Sequence, residues 1–191
     1  MFSDIPTSVL NRMRELESLD RENPRFTKQV PPETGRLLAI LAASAPTGTW
    51  LELGTSCGYS ALWISLACRL RGTRLVTVDR DPEKIKVANE TFAKAGVRDI
   101  VTVVHGDSLE ALRRHDDLGF CFIDAGGGIG TYDIVVPKLK PGAILVYDNV
   151  TSHMERARPT VEKALSDDRL DAVVVPIGKG ELVCRRHGKA Q

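Results

Sequence analysis

The chain has 191 residues and a formal net charge of +1, since its 26 lysines and arginines nearly balance its 25 aspartates and glutamates. That length fits one domain with a substantial core, and the interspersed charges argue against a nucleic-acid-binding face or a polybasic membrane patch. Residues 1–6 lack the basic and apolar regions of a secretion signal, and no apolar run reaches the roughly 18 residues of a membrane span. We therefore expect a cytoplasmic protein with no nucleic-acid or membrane partner.

The cysteines are scattered along the chain, at Cys57, Cys68, Cys121 and Cys184. None lies at the C-x-x-C spacing of zinc ribbons and redox sites, so a metal–thiolate centre is not expected. In a reducing cytoplasm such cysteines remain free thiols, and that is the state we predict.

The first 30 residues predict a helix followed by a loop. Apolar side chains recur at helical spacing over 6–20, whereas 21–32 is polar and contains three prolines. A second helix is predicted over 33–44, where three leucines and an isoleucine face the core.

From the first strand onward, short apolar runs alternate with helical patterns. The predicted strands cover 49–52, 75–78, 100–104, 119–123, 143–147, 172–175 and 181–184. The predicted helices cover 61–70, 82–95, 109–114, 132–139 and 155–166. This alternation predicts one α/β domain over 1–191 with a Rossmann-like core over 31–191, built on a seven-stranded, mostly parallel sheet with helices on both faces. The connection over 176–180 is short enough for a hairpin, so the last strand should be antiparallel.

The first predicted strand leads into a glycine-bearing turn. Its pattern is E-x-G-x-x-x-G, from Glu52 through Gly54 to Gly58, and a helix follows it. Glycines let the backbone pass close to a ligand, and a helix N-terminus offers unpaired N–H groups. A middle glycine is missing and a carboxylate repels a pyrophosphate, which argues against an NAD-dependent oxidoreductase. A nucleoside with a cationic tail, such as S-adenosylmethionine (SAM), suits the turn better; the alternative is an ordinary α/β turn with an incidental glutamate.

Acidic residues lie at or near the ends of the predicted parallel strands. They are Glu52, Asp79, Asp107, Asp124 and Asp148. Ligands of open α/β sheets bind outside the carboxyl ends of the strands, so we expect these carboxylates at one site. Asp79 lies where a carboxylate takes the hydroxyls of a ribose, since Asp81 is the better helix cap. Asp107 either reaches the adenine or caps the following helix, and the sequence leaves both open.

Asp124, Asp148 and Asn149 form a second group at that edge. Two carboxylates and an amide oxygen are hard ligands, which suit Mg²⁺ or Ca²⁺. A divalent cation there could take two substrate oxygens and lower the pKa of a substrate hydroxyl. The alternative is two loop carboxylates with Asn149 as a turn former.

Six stretches of the chain carry a resemblance to a known family. They are LELGTSCGYSAL (51–62), VTVDRDPE (76–83), HGDSLEAL (105–112), FIDA (122–125), KPGAILVYDNV (140–150) and PIGKGELVCRR (176–186). Together they resemble the class I SAM-dependent methyltransferases, and more narrowly the cation-dependent O-methyltransferases, the group of the catechol and caffeoyl-CoA enzymes and their bacterial relatives. The resemblance implies transfer of a methyl group to a hydroxyl of a small catechol- or phenol-like molecule, assisted by a divalent cation.

The resemblance also implies roles for the matching residues. Glu52, Gly54 and Gly58 would shape the pocket for the methionine end of SAM, and Ser60 would contact its carboxylate. The implied cofactor-binding positions are Glu52, Gly54, Ser56, Gly58, Tyr59, Ser60, Asp79, Arg80, Gly106, Asp107, Ser108 and Asp124. The carboxylate–amide group described above matches the metal ligands. Methyl transfer would be in line, with positioning and charge neutralisation supplying most of the rate.

The chain departs from the family where a catalytic lysine is expected. After Asp124 and Ala125 it continues with a run of glycines, and Gly127 stands at the lysine position. His153 is the replacement general base that we expect; the alternatives are that it is an ordinary surface residue and that the glycine run is a different substrate lid. For the activity, the alternatives are transfer without a metal and a SAM-binding protein without catalysis. The N-terminal region, which in relatives helps to build the substrate pocket and the dimer contact, is shorter here than in many of them; a homodimer is a further prediction.

Overall fold

The computed structural model describes residues 2–126 and 128–188. Within them, seven strands form one sheet: β1 Thr49–Leu53, β2 Leu75–Asp79, β3 Val101–His105, β4 Leu118–Ile123, β5 Leu139–Tyr147, β6 Leu170–Val175 and β7 Glu181–Arg186. The described α-helices are α1 Thr7–Glu22, α2 Pro24–Thr27, α3 Pro32–Ser44, α4 Tyr59–Arg71, α5 Pro82–Ala95, α6 Ser108–Arg114, α7 Ile129–Val135 and α8 Met154–Ser166. Short 3-10 turns lie at Phe2–Asp4 and Val136–Lys138.

The strands lie in the order β3-β2-β1-β4-β5-β7-β6. Strands β1 to β5 are parallel, and β7 runs antiparallel between β5 and β6. The predicted seven-stranded, mostly parallel sheet with an antiparallel last strand is confirmed. The chain moves outward from β1 to β3 on one side and returns to β4 on the other, so the loops after β1 and β4 diverge. Ligands of open α/β sheets bind at such a switch point.

Both faces of the sheet are buried. Along β4, Phe120 and Phe122 face one hydrophobic core, and Cys121 and Ile123 face the other. The first core is closed by α1, α3, α4 and α5, and the second by α6, α7 and α8. Because successive side chains of a strand point to opposite faces, a strand covered on both sides is apolar almost throughout. The buried carboxyl group of Glu52 is therefore an exception among the mostly apolar side chains of β1.

Two predictions about the whole chain can be compared with the fold. All four cysteines are free in the structure, as predicted, and all four are also buried. No helix within 2–126 or 128–188 is long and apolar enough to cross a membrane.

The segment over 21–32, predicted as a loop, contains a short helix. Helix α2 begins at Pro24, and Lys28 ends it in a left-handed conformation with φ of 46°. The Thr27 carbonyl accepts a hydrogen bond from the Ser56 hydroxyl in the glycine turn. Proline in a first helical turn needs no N–H partner, so the prolines that indicated a loop also permit a helix start. Helix α2 therefore packs against the ligand-binding edge of the sheet.

The prediction of a helix over 132–139 is wrong at both ends. Helix α7 begins earlier, at Ile129, and Leu139 is already the first residue of β5. Leu139 is buried and pairs with Leu118 of β4. The register of this strand pair shifts directly afterwards, which leaves Pro141 outside the paired residues of β5. A proline is tolerated there because its missing N–H breaks no ladder hydrogen bond.

Replacement of Gly58 by alanine is expected to lower the free energy of unfolding by about 2–4 kcal/mol, from backbone strain and a packing clash together. Gly58 has φ of +89°, and a Cβ built on it would lie 2.8 Å from Cζ of Phe92. Urea denaturation measures the loss. The control is Gly72→Ala, since Gly72 has φ of +61° but no atom within 4 Å of an added Cβ. The control should lose only about 1 kcal/mol, and equal losses in the two variants would contradict the packing argument.

Candidate active site

A cavity of about 540 Å³, here called the main cavity, opens at the carboxyl edge of the sheet. Loops after β1, β2, β4 and β5 line it, together with α2, α5, the start of α8 and the β6–β7 turn. The lining residues are Pro24, Lys28, Gly54, Ser56, Asp79, Arg80, Lys84, Ile123, Asp124, Ala125, Gly126, Asp148, Asn149, His153, Arg156, Ala157 and Lys179. A small pocket adjoins it, lined by 27–30, 54–57, Tyr59, Ser60 and Asp124. The main cavity lies within the range of about 300–1,000 Å³ that is usual for small-molecule sites.

The glycine turn after β1 forms the wall between the main cavity and the small pocket. Gly54 has φ of +105°, and a Cβ there would lie 3.1 Å from the carbonyl carbon of Asp124. Only glycine combines this backbone conformation with so close an approach of two loops. The turn leads into α4, whose N-cap residue, Gly58, supplies no side-chain hydrogen bond to the first turn. The N–H groups of that turn are therefore suited to an anion.

Glu52 is fully buried behind the glycine turn and does not itself line the main cavity. The Thr77 hydroxyl donates a hydrogen bond to its Oε2, whereas Oε1 has no hydrogen-bond partner among the described residues. Burial raises the pKa of the Glu52 carboxyl to about 7, and the hydroxyls of Ser60 and Thr77 only partly offset the rise. A buried polar atom without a partner is costly, so a cationic group arriving at the small pocket beside Ser60 would be stabilised.

Asp79 ends β2 at the wall of the main cavity. Its Oδ2 accepts a hydrogen bond from the N–H of Ser56 at 2.8 Å, and its Oδ1 accepts one from Asp81 at 3.0 Å. Asp81, and not Asp79, caps α5, because its side chain accepts hydrogen bonds from two N–H groups of the first turn. Each Asp79 oxygen keeps a further lone pair, so the residue can accept the hydroxyls of a ribose as the sequence predicts. Arg80 lies beside it in the same wall.

Asp107 follows β3 and caps α6. Its Oδ1 accepts a hydrogen bond from the N–H of Glu110 at 2.9 Å, which is the capping geometry that the sequence left open. Neither Asp107 nor its neighbours Gly106 and Ser108 line the main cavity or the small pocket. The Gly106 N–H is instead bonded to the Asp79 carbonyl at 2.9 Å, which joins the ends of β2 and β3.

The capping role of Asp107 predicts how two substitutions at this position affect stability and SAM affinity. Asp107→Ala should lower the free energy of unfolding by about 1 kcal/mol, whereas Asp107→Ser should preserve it, because serine also caps helices. Neither variant should change SAM affinity by as much as twofold, as measured by calorimetry. A large loss of affinity in the serine variant, with stability retained, would instead assign Asp107 to the adenine.

Two other predicted cofactor-binding residues, Tyr59 and Gly58, contact side chains of the protein itself. The Tyr59 hydroxyl donates a hydrogen bond to Oε1 of Glu17 at 2.7 Å, although its ring still lines the small pocket. Gly58 lines neither cavity and lies against Phe92. The second glycine of the motif is thus needed for packing between α4 and α5, whereas Gly54 lies at the ligand site.

The parallel pairing of β4 with β5 brings Asp124 and Asp148 together. Asn149 lies beside them with φ of +67°, a left-handed conformation that asparagine adopts more readily than most residues. Its Nδ2 is 2.7 Å from Oδ1 of Asp124 and 2.8 Å from Oδ2 of Asp148. The three predicted metal ligands are therefore neighbours in the structure, and their binding of a metal stays a prediction.

The electrostatics of this pair favour a cation. Burial, followed by the charge of Asp148, raises the pKa of Asp124 well above its ordinary value, and Lys179 partly offsets the rise. Within 2–126 and 128–188, no group of three His, Cys, Asp or Glu side chains is arranged to hold a metal. The candidate donors at this site are therefore two carboxylates and one amide. Rotation of the Asn149 amide exchanges its nitrogen and oxygen. With the oxygen turned inward, these three donors fit a hard divalent cation.

A further carboxyl group, Glu181, lies near the pair, and sequence reasoning missed it. Glu181 begins β7 and is fully buried. The Thr34 hydroxyl of α3 donates a hydrogen bond to its Oε1 at 3.2 Å. Burial, and then the charge of Asp148, raise the pKa of Glu181 to about 9. No local pattern could have revealed this environment, because the partners are 147 positions apart in the chain.

The structure describes the replacement base His153 but not the position of the missing lysine. Gly127 lies outside the described residues. His153 is exposed, lines the main cavity and precedes α8. Its Nδ1 lies 3.0 Å from the Ser152 hydroxyl, so its other ring nitrogen is available to a ligand. Its role as a base stays a prediction.

Basic residues of the main cavity also escaped sequence reasoning. They are Lys28, Lys84, Arg156 and Lys179. These residues come from α2, α5, α8 and the β6–β7 turn, so only the folded chain gathers them. Each looks like an ordinary surface position in the sequence, and no spacing signal could have grouped them.

Comparisons with known proteins agree with this geometry. The profile of the family described as O-methyltransferase matches residues 5–187. A protein of Arabidopsis thaliana named as a candidate caffeoyl-CoA O-methyltransferase is 28% identical over 181 residues, covering 83% of this chain and 78% of the relative. The structure of the O-methyltransferase from Bacillus cereus in complex with SAH aligns with a TM-score of 0.78 at 21% identity, over 92% of this chain and 90% of that chain. That of TomG from Streptomyces achromogenes, an O-methyltransferase involved in tomaymycin synthesis and in complex with SAM, aligns with a TM-score of 0.76 at 22% identity, over 97% and 92%.

The chain belongs to the O-methyltransferase family. Its sheet order is that of a Rossmann-like methyltransferase fold, which the two solved structures share. The resemblance found in the sequence is confirmed at the level of family and fold.

Proposed function

We propose that this protein transfers the methyl group of SAM to a hydroxyl of a small catechol- or phenol-like molecule, with a divalent cation held by Asp124, Asp148 and Asn149. The observation that carries the proposal is that three candidate donors lie together at the wall of the main cavity: the Asn149 amide is 2.7 Å from an Asp124 oxygen and 2.8 Å from an Asp148 oxygen. Family membership supports methyl transfer to oxygen. The SAM and SAH in the complexes of fold neighbours support the choice of donor.

The described residues provide complementary groups for three parts of SAM, its ribose, its ammonium group and its carboxylate. Asp79 has lone pairs for the ribose hydroxyls, and the unpartnered Oε1 of Glu52 suits the ammonium group. The first-turn N–H groups of α4, next to Ser60, suit the carboxylate. When bound, SAM supplies an electrophilic methyl group. Its S–CH₃ bond breaks as the acceptor oxygen forms the new O–CH₃ bond, and SAH is released.

The acceptor hydroxyl must lose its proton as it is methylated. His153 lines the same cavity and is the residue that we assign to take this proton, with solvent as the final sink. A divalent cation, when bound, supplies positive charge that favours the ionised acceptor oxygen. Asp124 and Asp148 would hold that cation and fix the acceptor within reach of the methyl group, so that orientation supplies much of the rate.

The test is a two-stage experiment on the purified protein. SAM is first titrated by calorimetry, and a panel of catechols and phenols is then assayed for SAH release, with Mg²⁺ and with EDTA. We expect saturable SAM binding and transfer that stops with EDTA and returns with Mg²⁺. Absence of SAM binding would overturn the proposal from its first step. SAM binding without turnover on any acceptor would favour a non-catalytic SAM-binding protein.

One observation favours a second candidate, transfer without a metal. The Asn149 amide already donates hydrogen bonds to both Asp124 and Asp148, so a hydrogen-bonded group stands where the cation would be. In that case transfer would be indifferent to EDTA. Positioning by the cavity and proton removal by His153 would then have to supply the rate alone.

A further inference from the structure

Two basic side chains without ion-pair partners line the main cavity, whose lining also includes Asp124 and Asp148. Arg156 comes from α8, and Lys179 comes from the β6–β7 turn. Neither side chain forms an ion pair with any residue in 2–126 or 128–188. Other lysines of the described chain do form such pairs; Lys163, for example, pairs with Asp133. Unpaired cations that line a cavity next to carboxylates call for a ligand.

The position of Lys179 is built into the fold. Its carbonyl accepts hydrogen bonds from the N–H groups of Thr151 and Ser152, each at 3.1 Å, and from the Thr151 hydroxyl at 2.6 Å. These bonds attach the β6–β7 turn to the loop that carries Asn149. The turn that carries Lys179 is therefore fixed to the Asn149 loop at the wall of the main cavity.

Arg156 is placed by the first turn of α8. The Arg156 N–H donates a hydrogen bond to the carbonyl of His153, three positions earlier, at 3.1 Å, and this bond joins the two residues within one turn. Residues at this spacing share a helix face, and both line the main cavity. Arg158, two positions further along, does not line it. The cavity thus receives one of the two arginines of this turn, which provides a matched control.

Basic side chains outnumber carboxylates in the lining of the main cavity. There are five of the former, Lys28, Arg80, Lys84, Arg156 and Lys179, and three of the latter, Asp79, Asp124 and Asp148. A divalent cation would add to this excess of positive charge. SAM does not cancel it, because its ammonium and sulfonium groups outnumber its carboxylate. Arg156 and Lys179 are both exposed, so salt screens their charges, and the excess of positive charge favours a negatively charged acceptor most strongly at low ionic strength.

We propose that the methyl acceptor is an acid, whose carboxylate or phosphate group binds Arg156 and Lys179 while its hydroxyl group faces Asp124 and Asp148. This inference rests on the proposed function and names its substrate class. A guanidinium matches either anion with paired hydrogen bonds, and an ammonium adds a point charge. A neutral catechol would leave both cations without a partner.

The test compares three ligands that differ in one substituent: protocatechuate, its neutral amide and the corresponding phosphonate. Each is titrated by calorimetry into SAH-loaded protein with Mg²⁺. We expect each anion to bind about tenfold more tightly than the amide, and the preference to shrink as ionic strength rises. The preference should disappear in the double variant Arg156→Met with Lys179→Met and persist in the control Arg158→Met. The two anions separate carboxylate recognition from phosphate recognition.

The outcomes separate this inference from the proposed function. Equal affinity for the acid and the amide, including no measurable binding of either, overturns the inference. Methylation of the amide as efficient as that of the acids also overturns it, while the proposed function stands. Tighter binding of an acid, lost in the double variant but without SAH release, supports the anion site and removes the proposed function. Loss of the preference in Arg158→Met as well would show a general surface effect and overturn the assignment to Arg156 and Lys179.

Discussion

Replacement of Glu52 by glutamine is expected to weaken SAM binding by roughly 10- to 100-fold, the size of a lost charged hydrogen bond. The substitution keeps the shape of the side chain and removes the negative charge from a fully buried position. In the wild type, the unpartnered Oε1 of Glu52 is the atom that we assign to the ammonium group. Calorimetric titration of SAM measures the change. Glu90→Gln, at an exposed position of α5, is the control and should bind as the wild type does.

The raised pKa of Glu52 predicts how SAM affinity depends on pH. The Glu52 pKa is raised to about 7, so the carboxyl is protonated below that pH and cannot attract an ammonium group. Wild-type affinity should therefore fall by about tenfold for each pH unit below this value and level off above it. The Glu52→Gln variant should show no such slope. A wild-type profile that is flat from acid to neutral pH would contradict the assignment.

The unliganded protein offers an independent check on Glu52. Between pH 4.5, its ordinary pKa, and about pH 7, the Glu52 carboxyl holds a proton in the native state but has lost it in the unfolded chain. Stability therefore falls as pH rises through this window, by roughly 3 kcal/mol for this group. Glu52→Gln should remove that decline, as urea denaturation at several pH values would show.

Replacement of Asp148 by asparagine is expected to reduce metal-stimulated methyl transfer on the order of 100-fold or more, because one of two charged ligands is lost. The variant should still fold. Removing the Asp148 charge relieves the repulsion that helps to raise the pKa of Asp124, so ionisation of Asp124 should destabilise the folded protein less than in the wild type. Calorimetry with Mg²⁺ and the SAH-release assay measure binding and transfer separately.

Asp168→Asn is the matched control for this variant. Asp168 is exposed, follows α8 and does not line the main cavity, so the control should keep wild-type metal binding and transfer. SAM binding should be unchanged in both variants. Unimpaired metal-stimulated transfer in Asp148→Asn would remove this carboxylate from the metal site. Transfer that is slow but insensitive to EDTA in the wild type would instead favour the metal-free candidate.

Much of the fold could be predicted because its signals are local. Apolar runs buried on both faces marked β1 and β4, and Asp81 followed by Pro82 marked the start of α5. The two errors had different causes. Leu139 joined β5 because tertiary pairing with Leu118 overrode a local signal, whereas the local signal at Pro24 was ambiguous, since a proline fits a first helical turn as well as a loop.

The site was predicted in part for the same reason. Parallel strands place their carboxyl ends at one edge, so Asp124, Asp148 and Asn149 could be expected together, and the structure brings them together. Asp107 also follows a parallel strand, yet its side chain caps α6 and lies away from the cavity. A strand end fixes where a residue lies, but the nearest unpaired N–H group decides where its side chain turns.

The sequence by itself determined the alternation of strands and helices, the glycine turn after β1 and the row of carboxylates at the strand ends. These follow from periodicity, propensity and strand polarity, which act over a few residues. Only the tertiary structure decided that Glu181 lies buried near Asp148 with Thr34 as its partner, and that Arg156 and Lys179 share one cavity. Contacts between elements far apart in the chain depend on how helices and turns pack over the sheet, and that packing leaves no local pattern in the sequence.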